Sequence, residues 1–132
     1  MRHLVLALTG IALLATPALT KPRLSPEAEI AKALKDRVPG PPVDCVDLTR
    51  IRSTQIVDRT ALLYDAGNVI YLNRPTGGAE QLDDWDTLVT QTFSSRLCRP
   101  DIVRLFDRGS RTVTGSVLLG DFIPYRRVRQ AR

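Results

Sequence analysis

Histidine is nearly absent from this chain: its 132 residues hold one, His3, beside the N-terminus. Without histidine further along there is no Ser–His or Cys–His nucleophile pair, and most zinc enzymes lose their ligand set. Cysteine is scarce too, with only Cys45 and Cys98, and no redox Cys-x-x-Cys. Three Phe, three Tyr and one Trp are too few for a ladder of stacked nucleic-acid bases, so no nucleic-acid partner is expected. Gly115 and Gly120 have phosphate-loop spacing, but no Lys-Ser/Thr follows, and Gly77-Gly78 opens no helix signal. No apolar run reaches the ~20 residues that cross a bilayer. No cofactor is expected from these residues.

What is present begins with an export pattern. Met1-Arg2-His3 is short and positive, and Leu4 to Ala15 is apolar apart from Thr9 and Gly10. Thr16-Pro17-Ala18-Leu19-Thr20 then supplies a helix breaker and small residues. This order predicts a secretory signal peptide over residues 1–20, cleaved after Ala18 or Thr20. An uncleaved signal anchor is the alternative. No cysteine follows the apolar run, so a lipoprotein acyl anchor is not expected. About 112 residues remain, enough for one small domain. The expected location is periplasmic or secreted. In an exported chain two cysteines read as one disulfide, Cys45–Cys98, with Cα atoms ~4.4–6.8 Å apart.

The net charge is +5, and 16 of the 19 basic residues are Arg. Most arginines sit beside Asp or apolar residues, as in Asp58-Arg59, Arg99-Pro100-Asp101 and Asp107-Arg108. That alternation predicts a solvated, internally paired surface rather than one charged face.

Residues 21–42 read as a short amphipathic helix and a proline-rich hinge. Ser25 is a good N-cap, Pro26 fits the first helical position, and Glu27 and Glu29 suit the helix dipole. Ile30, Ala33, Leu34 and Val38 share one stripe of a helix of about 12 residues, which Pro39-Gly40-Pro41-Pro42 ends. The helix packs on its own domain or awaits a partner. Residues 43–125 change to β-like runs. These are Val43–Ile51 with a bend near Thr49-Arg50, Ser53–Val57, Thr60–Tyr64, Val69–Asn73, Leu88–Phe93, Ile102–Phe106, Val113–Leu119 and Phe122–Tyr125. Asp65-Ala66-Gly67-Asn68 reads as a hairpin turn. The fold class is therefore mainly β: a compact antiparallel small barrel or sandwich of about seven short strands, preceded by a short N-terminal helix. Residues 126–132 form a basic tail.

A resemblance rests on particular runs. They are Cys45-Val46-Asp47-Leu48, Arg50-Ile51-Arg52-Ser53-Thr54, Ile56-Val57-Asp58, Leu62-Leu63-Tyr64 and Val69 to Arg74. Leu97 to Val103, Gly115-Ser116-Val117 and Leu119 to Phe122 complete them. Over residues 43–125 the chain resembles a family of small exported Gram-negative proteins of unknown function. It departs from many of them at Pro75–Gly78, where related chains often hold further cysteine. The resemblance implies an envelope location and a disulfide. It supplies no activity and no catalytic residues.

Two clusters remain as candidate sites. Asp83, Asp84 and Asp86 surround Trp85, with Glu80 nearby. Paired carboxylates beside an aromatic platform suit a sugar ring or its hydrolysis, and carboxylate oxygens suit Ca²⁺. A solvated acidic loop has the same composition. The second cluster is Arg126, Arg127, Arg129 and Arg132, four cations with no intervening acid. It reads as a solvated tail able to meet phosphates of lipopolysaccharide, anionic lipid or an acidic protein face. The favoured reading is a non-enzymatic β-domain that binds an envelope component or protein partner. The alternative is a small carbohydrate-binding module or hydrolase built on the acidic loop.

Overall fold

The computed structural model describes residues 15–129. Helix α1 (Pro26–Ala33) leads into ten strands: β1 (Arg37–Pro39), β2 (Cys45–Asp47), β3 (Ser53–Val57), β4 (Ala61–Asp65), β5 (Val69–Asn73), β6 (Asp86–Thr90), β7 (Arg96–Cys98), β8 (Ile102–Asp107), β9 (Thr112–Leu118) and β10 (Phe122–Arg127). Every named pairing is antiparallel. Five strands form a sheet in the order β1-β10-β5-β4-β3, three form β6-β8-β9, and β2 pairs with β7. The sheets do not close on one another, so the arrangement is a sandwich and not a barrel.

Two apolar clusters use opposite faces of the five-stranded sheet. On one face Ile30 and Leu34 from the α1 region meet Val57, Ala61, Leu63, Ile70 and Leu72. On the other, Ile56, Leu62, Tyr64 and Phe122 meet Val46, Leu97, Val103, Leu105 and Val117 from the two smaller sheets. Strand β4 is central to both, and Ala61, Leu62, Leu63 and Tyr64 are all buried. That explains its unbroken apolar run, since a strand covered on both faces has no polar side to alternate with. Phe122 is fully buried, and its truncation to Ala would cost about 3–5 kcal/mol.

The helix begins as expected. Ser25 Oγ accepts the Ala28 N–H at 3.3 Å, and Pro26 starts the first turn. It ends after eight residues rather than about 12. Asp36 adopts φ 60, and the chain reverses into β1, where Arg37, Val38 and Pro39 lie opposite Arg127, Arg126 and Tyr125 of β10. Part of the stretch read as helix and hinge is thus a sheet edge. Strand pairing with β10 replaces the third helical turn that the sequence predicts. Val38, assigned to the apolar stripe, is 52% exposed.

Strands β1 and β7 have three residues each, too few to display alternation. The expected bend near Thr49-Arg50 is a single 3-10 turn over Leu48–Arg50, capped by Asp47 Oδ1 on the Thr49 N–H at 2.9 Å. Strand β6 lies two residues earlier than its apolar run, because its register is set against Val103–Asp107. Phe93, expected at its end, projects into solvent. In the β4–β5 turn Gly67 takes φ 84, and a Cβ there would sit 2.9 Å from Arg52 Cζ.

The disulfide is formed between Cys45 and Cys98, which are register partners across β2 and β7. The flanking bonds are Arg99 N–H to Asp44 O at 2.7 Å and Leu48 N–H to Ser95 O at 2.8 Å. The cysteines therefore occupy a non-hydrogen-bonded pair, the close type in an antiparallel ladder. Their Cα atoms are 4.0 Å apart, nearer than expected for that reason. The Cys98 N–H turns instead to Asp101 Oδ2 at 2.8 Å.

Candidate functional site

The acidic loop folds around a cation from the same chain. Carboxylate oxygens of Asp58, Asp83 and Asp84 lie within 4.8 Å of one another. The Arg23 guanidinium pairs with Asp84 and lies 3.8 Å from Asp58. Asp83 Oδ1 accepts the Trp85 N–H at 2.9 Å, and Asp86 Oδ2 accepts the Thr114 hydroxyl at 2.5 Å. Each of these aspartates already has a partner. Asp84 and Asp86 line a groove of about 580 Å³ between β3 and β6, together with Glu29, Gln55, Thr87 and Arg108. Trp85 is 79% exposed and is not a lining residue. The loop thus presents two of its carboxylates to a concavity but holds its aromatic platform outside it.

Two cations of the basic segment belong to a strand. Arg126 and Arg127 are strand residues of β10; Arg126 lies between Val38 of β1 and Val69 of β5, and Arg127 pairs with Arg37 of β1. Arg129 follows directly, and Val128 N–H donates to Asp36 O at 3.2 Å. Arg132 lies outside the described residues, as does most of the predicted signal peptide. Arg126, Arg127 and Arg129 line a recess of about 340 Å³ with Asn68 of the β4–β5 turn. No acid lines it.

Arg37 builds the floor of that turn. Its guanidinium donates to Asn68 O at 3.1 Å, Gly67 O at 3.2 Å and Tyr125 O at 3.3 Å. The nearest carboxylate in the turn, Asp65, is engaged with the Gly67 N–H at 2.6 Å. Sequence reasoning placed Asn68 in a turn and gave Arg37 no role. Both are remote in sequence from Arg126, and only the β10–β5 and β10–β1 pairings join them.

The arginines are paired less widely than the sequence suggests. Among the described residues, salt bridges join Arg23 to Asp58 and Asp84, Arg50 to Asp47, Arg74 to Glu27, and Arg99 to Asp44 and Asp121. None joins the sequence neighbours Asp58-Arg59, Arg99-Asp101 or Asp107-Arg108. Asp58, Asp101 and Asp107 each accept a backbone N–H instead. Asp107 accepts from Gly109 N–H and Ser110 Oγ, which hold its carboxyl below the usual range. The Thr49 hydroxyl and N–H do the same for Asp47. Arg126, Arg127 and Arg129 take part in none of these bridges.

Among the described residues no helix is long and apolar enough to cross a membrane. Compared with family models, curated proteins and solved structures, the chain matches none.

Proposed function

We propose that this chain is an exported, non-enzymatic β-domain of the bacterial envelope, and that it binds an anionic envelope component or protein partner through the arginine end of β10. The observation that carries this reading is the acid-free recess of Arg126, Arg127, Arg129 and Asn68. The export pattern of residues 1–20 and the disulfide support a periplasmic or secreted location, where such bridges persist. Membership of the exported Gram-negative family rests on the runs between residues 43 and 125 and is part of the same proposal.

The test is co-sedimentation of the processed protein with lipopolysaccharide and with anionic vesicles across a salt series. Binding is expected at low salt and should fall steeply past ~0.15 M, because exposed charges are screened over ~8 Å there. Removing residues 128–132 should weaken it. Equal binding by intact and shortened protein at low salt would remove the arginine end from the proposal.

One observation favours a second reading. Asp84 and Asp86 line the 580 Å³ groove, so the acidic loop is a candidate for carbohydrate binding or hydrolysis. Trp85 is the only tryptophan, and its fluorescence reports on that loop alone. A saturable change on titration with envelope oligosaccharides, lost in Asp84→Ala, would support this reading over the first.

A further inference from the structure

We infer that the recess at the end of β10 is a built site for a terminal phosphate group, a phosphomonoester carried on a lipid or saccharide, rather than a patch of diffuse positive charge. This rests on the anionic-partner reading above and names the chemistry of its ligand.

Position is the first support. A solvated tail offers its charges in no fixed order. Here Arg126 and Arg127 are held by cross-strand pairing to Val38, Arg37 and Val69. The turn that carries Asn68 is fastened by three hydrogen bonds from Arg37 to the carbonyls of Gly67, Asn68 and Tyr125. Part of the ordering entropy that a ligand would otherwise have to meet is lost at folding.

Donor chemistry is the second. Guanidinium groups present planar forks that match phosphate and carboxylate oxygens two at a time. A carboxylate has two oxygens and one charge, so one fork satisfies it. A phosphomonoester has three terminal oxygens and a charge of about −1.5 to −2 near neutral pH. Arg126 and Arg127 project to opposite faces of β10, and the Arg126 guanidinium lies beside Gly40 and Pro124; Arg127, Arg129 and Asn68 at one recess of about 340 Å³ still offer more forks than a carboxylate can use. They suit a tetrahedral dianion.

Neighbouring charge is the third. Arg37 and Arg52 stand behind the turn with their guanidiniums against Gly67. Asp65 is turned onto a backbone N–H. Asp36, bonded through its carbonyl to Val128 N–H, is the acid next to this segment, and the recess opens to solvent, where Asn68, Arg126, Arg127 and Arg129 are all exposed. A phosphate borne on a larger molecule can reach it.

The experiment compares vesicles of phosphatidylcholine containing phosphatidic acid, a phosphomonoester, with vesicles containing cholesteryl hemisuccinate, a carboxylate, at matched surface potential. A separate titration uses inorganic phosphate alone. The phosphatidic acid vesicles should bind roughly tenfold more tightly, the size of one additional charge-assisted hydrogen bond. Arg127→Lys keeps the charge and removes a fork. Asn68→Asp keeps the shape and places an anion in the recess. Both positions are exposed, so both variants should fold, and both should lose the preference while general anionic binding survives in Arg127→Lys.

Equal affinity for the two vesicles would overturn the phosphate site and leave the anionic-partner reading standing. Binding to neither would overturn both. A preference that survives in both variants would place phosphate recognition elsewhere and overturn this site. Inorganic phosphate binding that Asn68→Asp abolishes supports the site with a free anion as ligand, whereas vesicle binding alone supports a lipid-borne phosphate.

Discussion

The side chain of Asn73 makes two reciprocal hydrogen bonds with the backbone of Gly120. Its Nδ2 donates to Gly120 O at 2.8 Å, and its Oδ1 accepts the Gly120 N–H at 3.1 Å. Asn73 is fully buried and is the one polar residue in that class among the described residues. It ties the end of β5 to the connection between β9 and β10, and so fixes where β10 begins its run towards Arg126.

Replacing Asn73 with Leu keeps the branched heavy-atom skeleton but leaves a buried N–H and a buried carbonyl without partners. Each orphaned group costs about 1–3 kcal/mol, so Asn73→Leu should lose about 2–5 kcal/mol of stability in urea unfolding. A loss below about half a kcal/mol would show that solvent or a relaxed loop satisfies the Gly120 groups.

Reducing the Cys45–Cys98 bridge frees a loop with a sequence separation of 53 residues. The chain-entropy account assigns a bridge of that span about 4 kcal/mol. Thermal unfolding with and without reductant should show a lower midpoint for the reduced protein. Strands β2 and β7 pair only with each other, so their amides should lose hydrogen-exchange protection before those of β4 do.

The Tyr64 ring packs edge-on to Phe122, with centroids 5.7 Å apart at 63°, while its hydroxyl is buried without a hydrogen-bond partner. Tyr64→Phe should therefore be neutral or stabilising by up to about 1 kcal/mol, and Tyr64→Ala should cost about 3–5 kcal/mol. Burial pushes the phenol pKa above its ordinary value. The native state thus favours the protonated form, and the associated stability is full below the unfolded pKa of about 10 and declines as pH rises past it. Urea titrations between pH 8 and pH 11 should show this decline in the native chain and less of it in Tyr64→Phe.

Glu27 in the first turn of α1 accepts two hydrogen bonds from Arg74, at 2.9 and 3.0 Å, just beyond β5. Those bonds, with the Arg74 charge, hold the Glu27 carboxyl below its ordinary range. The sign follows from the depressed value: the contribution is present above the unfolded pKa and is lost as pH falls through the folded one. Protection factors in α1, referred to the slower intrinsic exchange in acid, should fall on acidification more than those in β4. Glu27→Gln should show low α1 protection already at neutral pH, with little further change in acid.

Much of the architecture could be read from local pattern. Ser25-Pro26 marks the helix start because a hydroxyl cap and a fixed φ act over three residues. Val69–Asn73 appears as a strand with the expected bounds, and Gly67 marks the turn before it because only glycine accepts that φ without strain. The disulfide followed from two cysteines in a chain with an export pattern. These inferences succeed because their physics spans a few neighbouring residues or a count with one solution.

The candidate site was legible in only one of its parts. Arg126, Arg127 and Arg129 stand out as cations without acids, but local charge density does not distinguish a solvated tail from a strand. Arg37 and Asn68 carry no local signal at all, since an arginine after a helix and an asparagine in a turn are ordinary. The acidic loop was visible as composition. That Arg23 pairs with Asp84 and Asp58, and that Trp85 lies outside the groove lining, depends on where residues 23 and 58 arrive in space.

By itself the sequence determined the β-rich class, the helix start, the Val69–Asn73 strand and the single bridge, all set by side-chain period, backbone propensity and counting. The tertiary structure decided the rest. It chose an open sandwich over a barrel, ended α1 at Ala33 by capturing Arg37–Pro39 on β10, and gathered Arg126, Arg127, Arg129 and Asn68 around one recess. Those outcomes turn on pairings between residues about 30 to 90 positions apart, whose energies depend on register and shared burial and are written in no single segment.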